Sequence, residues 1–187
     1  MGSRFEPGRF VAKCRAALAG RAADKHVCEI VARAVRHPLA VLAGLGEPKR
    51  AAMQRLYHGP GLTILNVVWG PMMTVLPHEH AMWAVIGVYT GREDNIFWRR
   101  VSGSRKGRIE AAGAKALVTG DAELLPRDIV HSVTNPIGRL TGAIHAYGGD
   151  FFGVPRSEWD PETLYERPFD PVRAVERFEE ANAASAG

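Results

Sequence analysis

Residues 62–90 read LTILNVVWGPMMTVLPHEHAMWAVIGVYT, and they decide the fold. Leu62–Trp69 and Met82–Tyr89 are short runs rich in Val, Ile, Leu and aromatic residues, parted by Gly70, Pro71 and Pro77. Their brevity, β-branched content and flanking breakers predict strands rather than helices. Between them, His78 and His80 stand two apart. On an extended chain that spacing turns both imidazoles to one face and Glu79 to the other.

Downstream, the same texture recurs in Ile96–Val101, Ala116–Val118, Ala122–Leu125, Ile129–Val133 and Leu140–Tyr147. Successive strands without intervening helices predict an antiparallel barrel or sandwich. Upstream, the period changes. Phe10, Val11, Cys14, Ala17 and Leu18 fall on one helical face, and after Asp24 as cap so do Val27, Ile30, Val31, Ala34 and Val35. Pro38, Gly44, Gly46 and Pro48 punctuate the chain, with a last short helical piece expected from Pro48 towards Leu56. Pro171–Ala181 has helical composition. The expected organisation is one domain over 1–187: a helical segment (1–58) packed on a barrel core (61–157), followed by an extension (158–187).

Composition limits the function classes. With 46% apolar and 24% charged residues in 187, the chain is of ordinary globular type. Its net charge of +4 is unevenly spread: residues 1–60 carry 11 Lys and Arg against 4 Asp and Glu, the remainder 13 against 16. The N-terminal arginines form no run, and no zinc-finger or RNA-recognition signature accompanies them, so they read as solvated helix faces rather than a nucleic-acid surface. No apolar run reaches the about 18 residues needed to cross a bilayer. Cys14 and Cys28 are the two cysteines, and no leader-like segment is apparent, so a reducing, cytoplasmic setting is expected.

Of 7 histidines, three have the context of a metal site. His131 joins His78 and His80 through the segment Gly120-x5-Pro126-x4-His131-x3-Asn135. Neutral imidazoles suit Fe, Zn, Cu or Ni, so ligand type alone does not choose the metal. Trp69, Trp83 and Tyr89 read as barrel core, with Trp83 also placed to line a pocket. Glu93 and Asp94, following the turn residue Gly91, read as solvated.

The two histidine segments together resemble the paired half-motifs of the cupin superfamily, small double-stranded β-helix (jelly-roll) barrels. Ala84 stands where a cupin glutamate ligand is common, which leaves three histidines and no carboxylate. That set, with Val67-Val-Trp-Gly-Pro71 and Ala143-Ile-His145-Ala-Tyr147, resembles the thiol dioxygenases, meaning cysteine dioxygenase and more closely 3-mercaptopropionate dioxygenase. The resemblance covers roughly residues 55–156. It implies a mostly β cupin fold, Fe(II) held by His78, His80 and His131, O₂ as co-substrate, and oxidation of a small thiol carboxylic acid to its sulfinate. It assigns Tyr147 and His145 to catalysis, and Arg156, Trp83 and Arg55 to the substrate, with Arg156 and Arg55 as rival carboxylate anchors. The expected partners are a small thiol and at most a second copy of the chain, with no nucleic acid and no membrane. The chain departs from the pattern at Ala143, where the family has a serine. It departs again at Val85, where animal cysteine dioxygenases carry a cysteine cross-linked to the tyrosine. Other readings of the same ligands are a Zn, Ni or Mn cupin acting as an isomerase or hydrolase, and a non-catalytic metal or ligand sensor.

Overall fold

The computed structural model describes residues 4–185. Three helices lead, α1 (Pro7–Ala17), α2 (Ala23–Val35) and α3 (Pro38–Leu45). The strands are β1 (Ala52–Gly59), β2 (Leu62–Trp69), β3 (Thr74–Glu79), β4 (Ala84–Thr90), β5 (Arg92–Arg100), β6 (Ile109–Val118), β7 (Ala122–Leu125), β8 (Val130–Thr134), β9 (Thr141–Tyr147), β10 (Ser157–Trp159) and β11 (Glu166–Pro168), followed by helix α4 (Pro171–Ser185).

Two antiparallel sheets result, with orders β1-β2-β9-β4-β7 and β11-β10-β3-β8-β5-β6. From β2 to β5 successive strands alternate between the sheets, and β7, β8 and β9 alternate again. That crossing pattern is the double-stranded β-helix expected from the sequence. At the β4–β5 corner Gly91 has φ +85, and a Cβ there would lie 2.2 Å from Thr141 Oγ1, so only glycine fits.

The central strands of the first sheet, β2, β9 and β4, are buried on both faces, which is why β2 reads as an unbroken apolar run rather than an alternation. Its outer face carries Leu62, Ile64, Val85, Ile144 and Ala146 against Phe10, Val11 and Cys14 of α1 and Val27, Val31 and Val35 of α2. The i, i+4, i+8 spacing of those valines makes one stripe, each burial stabilising by roughly 1.5–3 kcal/mol. Gly87 lets α2 approach: a Cβ there would be 2.3 Å from Val31 Cγ1. The inner face carries Leu65, Val67, Trp69, Ala84, Ile86, Val88, Ala143 and Tyr147, packed with Leu117 and Val133 of the facing sheet.

Several elements differ from expectation. The helical piece expected over 48–56 is instead strand β1, paired with β2 through Ala52↔Val68 to Gly59↔Leu62. The proline-started helix is α3, with Pro38 in its first turn and Gly46 at φ +89 ending it. An exposed edge strand needs no apolar pattern of its own, because β2 supplies the ladder. Likewise β6 begins at Ile109, seven residues before Ala116, since most of its side chains are exposed. β5 starts at Arg92 rather than Ile96, which brings Glu93 into the strand. Asp24 lies within the first turn of α2, where it complements the helix dipole, while Ala22 holds the cap position. No helix among the described residues is long and apolar enough to cross a membrane.

Candidate metal centre

His78 and His131 are direct cross-strand partners on β3 and β8, so their side chains share the sheet's inner face. His80 follows immediately after β3, and Ala81 behind it takes φ +57, a left-handed turn that redirects the chain after the second histidine. The three rings converge. His80 Nε2 lies 3.2 Å from His78 Nε2 and 3.3 Å from His131 Nε2. His80 and His131 are buried and His78 is half-buried. Glu79 points away and pairs with Arg100, as the alternation requires.

The donor set fits a metal ion. His78 Nδ1 donates to Leu76 O at 2.8 Å and His131 Nδ1 donates to Asn95 Oδ1 at 2.7 Å, which leaves both Nε2 lone pairs facing the third ring. Three nitrogens this close repel unless a cation lies among them. Nitrogens about 2.1 Å from one ion and about 100° apart would be about 3.2 Å from each other, which matches the observed spacing. Burial pushes the His78 pKa down to about 4, with the nearby Arg156 charge acting the same way against the raising effect of the Leu76 hydrogen bond. Burial and neighbouring histidines hold His80 and His131 well below the usual imidazole value. All three are therefore neutral at pH 7, as ligation requires.

Two aromatic side chains and an arginine complete the surroundings. Tyr147, buried, has its ring 4.9 Å from that of His80 and 4.2 Å from that of Phe151. Burial raises its pKa, so it stays a neutral hydroxyl. Arg156 is held between two rings, its Cζ 4.0 Å from the Phe151 centroid and 4.1 Å from that of Phe169, while Nη1 donates to Phe151 O at 2.6 Å. Its Nε is buried without a partner, and the guanidinium has no carboxylate beside it among the described residues. Burial lowers its pKa, a shift Tyr147 opposes.

The other sequence-derived residues are placed differently. Arg55 is exposed on edge strand β1, opposite Leu65, with no hydrogen bond or ion pair to the histidines. Trp83 packs with the outer, helix-covered cluster, its indole against Gly148, rather than beside the metal ligands. Its position ahead of inward-facing Ala84 sets it on the opposite side of the chain. Val85 also faces the helices, and Ala84 is the cross-strand neighbour of Tyr147.

Glu93 corrects the sequence reading most sharply. It is fully buried, not solvated. Trp69 Nε1 donates to its Oε2 at 2.7 Å and Asn95 Nδ2 to its Oε1 at 3.3 Å, while His145 Nε2 lies 3.3 Å from Oε2. His145 Nδ1 is in turn 3.1 Å from the Tyr147 hydroxyl. The signal for Glu93 and Asn95 was present in the period-2 pattern Glu93-x-Asn95-x-Phe97, which continues the strand back to Gly91.

Strand order and the histidine cluster define a cupin-type barrel with a candidate three-histidine metal site. Among solved structures, an RmlC-like cupin family protein with a double-stranded β-helix fold from Methanocaldococcus jannaschii aligns at 9% identity and a TM-score of 0.47, covering 57% of this chain and 86% of that one. A protein from Bacillus halodurans aligns at 18% identity and 0.45, covering 54% and 72%. Oxalate decarboxylase from Bacillus subtilis aligns at 16% and 0.40, covering 50% of this chain but only 22% of that enzyme. No protein-family model matches the chain.

Proposed function

We propose that this protein is an Fe(II)-dependent thiol dioxygenase that adds both atoms of O₂ to the sulfur of a small thiol carboxylic acid, R–SH + O₂ giving R–SO₂H. The observation that carries the reading is an aromatic-clamped Arg156 with no carboxylate beside it among the described residues, stacked on Phe151, whose ring lies 4.2 Å from that of Tyr147 and 6.2 Å from that of His80. Three neutral imidazoles beside one such guanidinium form a site for a ligand that is anionic at one end and metal-seeking at the other. Ferrous iron would be held by His78, His80 and His131, and when bound it would supply the electrons for O₂ activation and a positive charge that favours thiolate over thiol.

The remaining roles belong to the chain. Arg156 holds the carboxylate by charge-assisted hydrogen bonds and so sets the distance between carboxylate and sulfur. Tyr147 offers one hydroxyl at the face of His80 and orients the bound reactants. His145 fixes that hydroxyl. Phe151 and Met82, both in the apolar lining, exclude water from the reacting sulfur. An anchor at Arg156 makes no use of an α-amino group, so thiol carboxylates without one are the preferred class, 3-mercaptopropionate among them. Arg55 is too exposed to serve as that anchor. A reducing cytoplasmic setting belongs to the same reading, supported by two free cysteines, Cys14 buried and Cys28 half-buried.

The test is oxygen consumption by the ferrous-loaded protein against 3-mercaptopropionate, mercaptosuccinate, cysteine and cysteamine. Turnover should be best with the amine-free carboxylates and poor with cysteamine. Cysteine as the best substrate would move the anchor from Arg156, and no consumption with any thiol would end the proposal.

A further inference from the structure

We propose that Glu93 is a positioning residue, a single buried acceptor that sets the proton on His145 Nε2 in one direction and, through Asn95, on His131 Nδ1 in the other. The inference rests on the thiol dioxygenase reading only for its catalytic consequence, since Tyr147 is the group it ultimately orients.

An ionised carboxylate can only accept hydrogen bonds. Glu93 has no exposed surface, and the donors gathered round it are the indole of Trp69, the amide of Asn95 and the ring of His145. Each of the three must therefore turn an N–H towards it. For a neutral His145 ring this places the proton on Nε2 and leaves Nδ1 with a lone pair, so the Tyr147 hydroxyl donates to Nδ1. For Asn95 it turns Nδ2 to Glu93 and hence Oδ1 to His131. An amide oxygen also only accepts, so His131 must carry its proton on Nδ1 and present Nε2 to the metal. One carboxylate thereby fixes two histidine tautomers, one in the metal ligands and one behind the tyrosine.

Position 143 contributes nothing to this arrangement. Ala143, His145 and Tyr147 alternate along β9 with their side chains on the barrel's inner face, and alanine offers His145 no polar partner. The partner comes instead from β5, in the opposite sheet. The chemistry of that partner is restrictive: a carboxylate only accepts, and so leaves a neutral imidazole one tautomer. A neutral amide at position 93 cannot do the same. Glutamine would present its oxygen to one side and its NH₂ to the other, which sets donor against donor either at Trp69 and His145 or at Asn95. In the second case relief comes by rotating Asn95, which turns an N–H to His131 and draws the His131 proton onto the metal-binding nitrogen.

The experiment uses zinc as a diamagnetic probe of the full-length protein, with two readouts that need no turnover. The first is the ¹⁵N chemical shifts of His145 in the zinc-loaded protein: Nε2–H is expected in the parent, and a mixed or reversed tautomer in Glu93→Gln where the amide turns its NH₂ to His145. The second is zinc affinity, expected to fall by about 10–100-fold in Glu93→Gln where the amide turns its NH₂ to Asn95, the range for loss of a hydrogen-bonding partner behind a ligand, and to be unchanged in Tyr147→Phe. Should Glu93→Gln fail to fold, Asn95→Ala and Glu93→Asp carry the test. Asn95→Ala cuts only one arm and should weaken zinc while leaving the His145 tautomer as in the parent, and Glu93→Asp should keep that tautomer. Because the amide can satisfy only one arm, one of the two readouts should change in Glu93→Gln; both unchanged in the folded variant, or a tautomer lost in Asn95→Ala, overturns the single-acceptor account. A protein that oxidises no thiol would defeat the proposed function and leave these two readouts standing.

Discussion

The two faces of the sheet β1-β2-β9-β4-β7 are built from alternate residues of the same strands, yet they do opposite work. On β9, Ile144 and Ala146 face outward into an apolar layer closed by α1 and α2. Ala143, His145 and Tyr147 face inward, where the apolar lining is interrupted by Glu93, Asn95 and the three histidines of the facing sheet. A one-residue slip of β9 would exchange the two sets, so the outer layer's packing also holds the chemistry in register. The lesson is a division of labour. The outer face stabilises the barrel without touching the site, and the inner face tolerates buried polar groups because most are paired or ligand-directed, His80 Nδ1 being buried without a partner.

Deleting a ligand tests that division most severely. His131→Ala or His80→Ala should abolish stoichiometric metal binding while the far-ultraviolet spectrum and the melting of the metal-free protein change little. Metal analysis beside a thermal melt checks both, and full metal retention in each single variant would erase the assigned site. Next in size, the outer-face change Ile144→Ala should remove about 2–5 kcal/mol of stability, read by denaturant unfolding, and leave metal stoichiometry intact. Metal lost along with stability would mean the two faces are not separable.

Arg156→Ala tests the inner face without its ligands. Stranding a carboxylate that had one charge-assisted partner costs about 2–5 kcal/mol, so kcat/KM for a thiol carboxylate should fall roughly 30-fold or more. Arg55→Ala, measured in parallel, should do little, and the reverse order would transfer the anchor to β1.

A further effect is one of pH. Folded His78 has a pKa of about 4, below the ordinary 6.5, and His80 and His131 are shifted the same way. Well above pH 6.5 these groups are neutral in both folded and unfolded chains and contribute no pH dependence. Below it the unfolded chain takes up protons first, so the metal-free protein should lose stability as pH falls from 6.5 towards 4. Saturating zinc, which binds the neutral rings, should flatten that slope, as melting curves with and without metal would show.

What the sequence makes legible follows from the same contrast. Strands buried on both faces, such as Leu62–Trp69, advertise themselves as apolar runs, and the period-2 pair His78 and His80 sits on one of the barrel's inner faces as its spacing requires. Edge elements do not. β1, most of β6 and β11 are largely exposed, so their pairing is dictated by neighbours rather than by their own composition. Glu93 was hidden for a related reason: a carboxylate after a turn glycine reads as solvated, and its burial depends on Trp69, Asn95 and His145, of which two are distant in sequence. Arg156 stands in the converse position, a charged residue whose clamp of Phe151 and Phe169 exists only once β10 folds back on the barrel.

The central claim is that the three histidines serve the addition of both oxygen atoms of O₂ to one sulfur. Ferrous-loaded protein turned over with 3-mercaptopropionate under ¹⁸O₂, with the product examined by mass spectrometry, tests it directly. The account predicts a sulfinate carrying two ¹⁸O atoms, absent in His131→Ala. A product with one label or none, or no sulfinate from any amine-free thiol carboxylate, would contradict it.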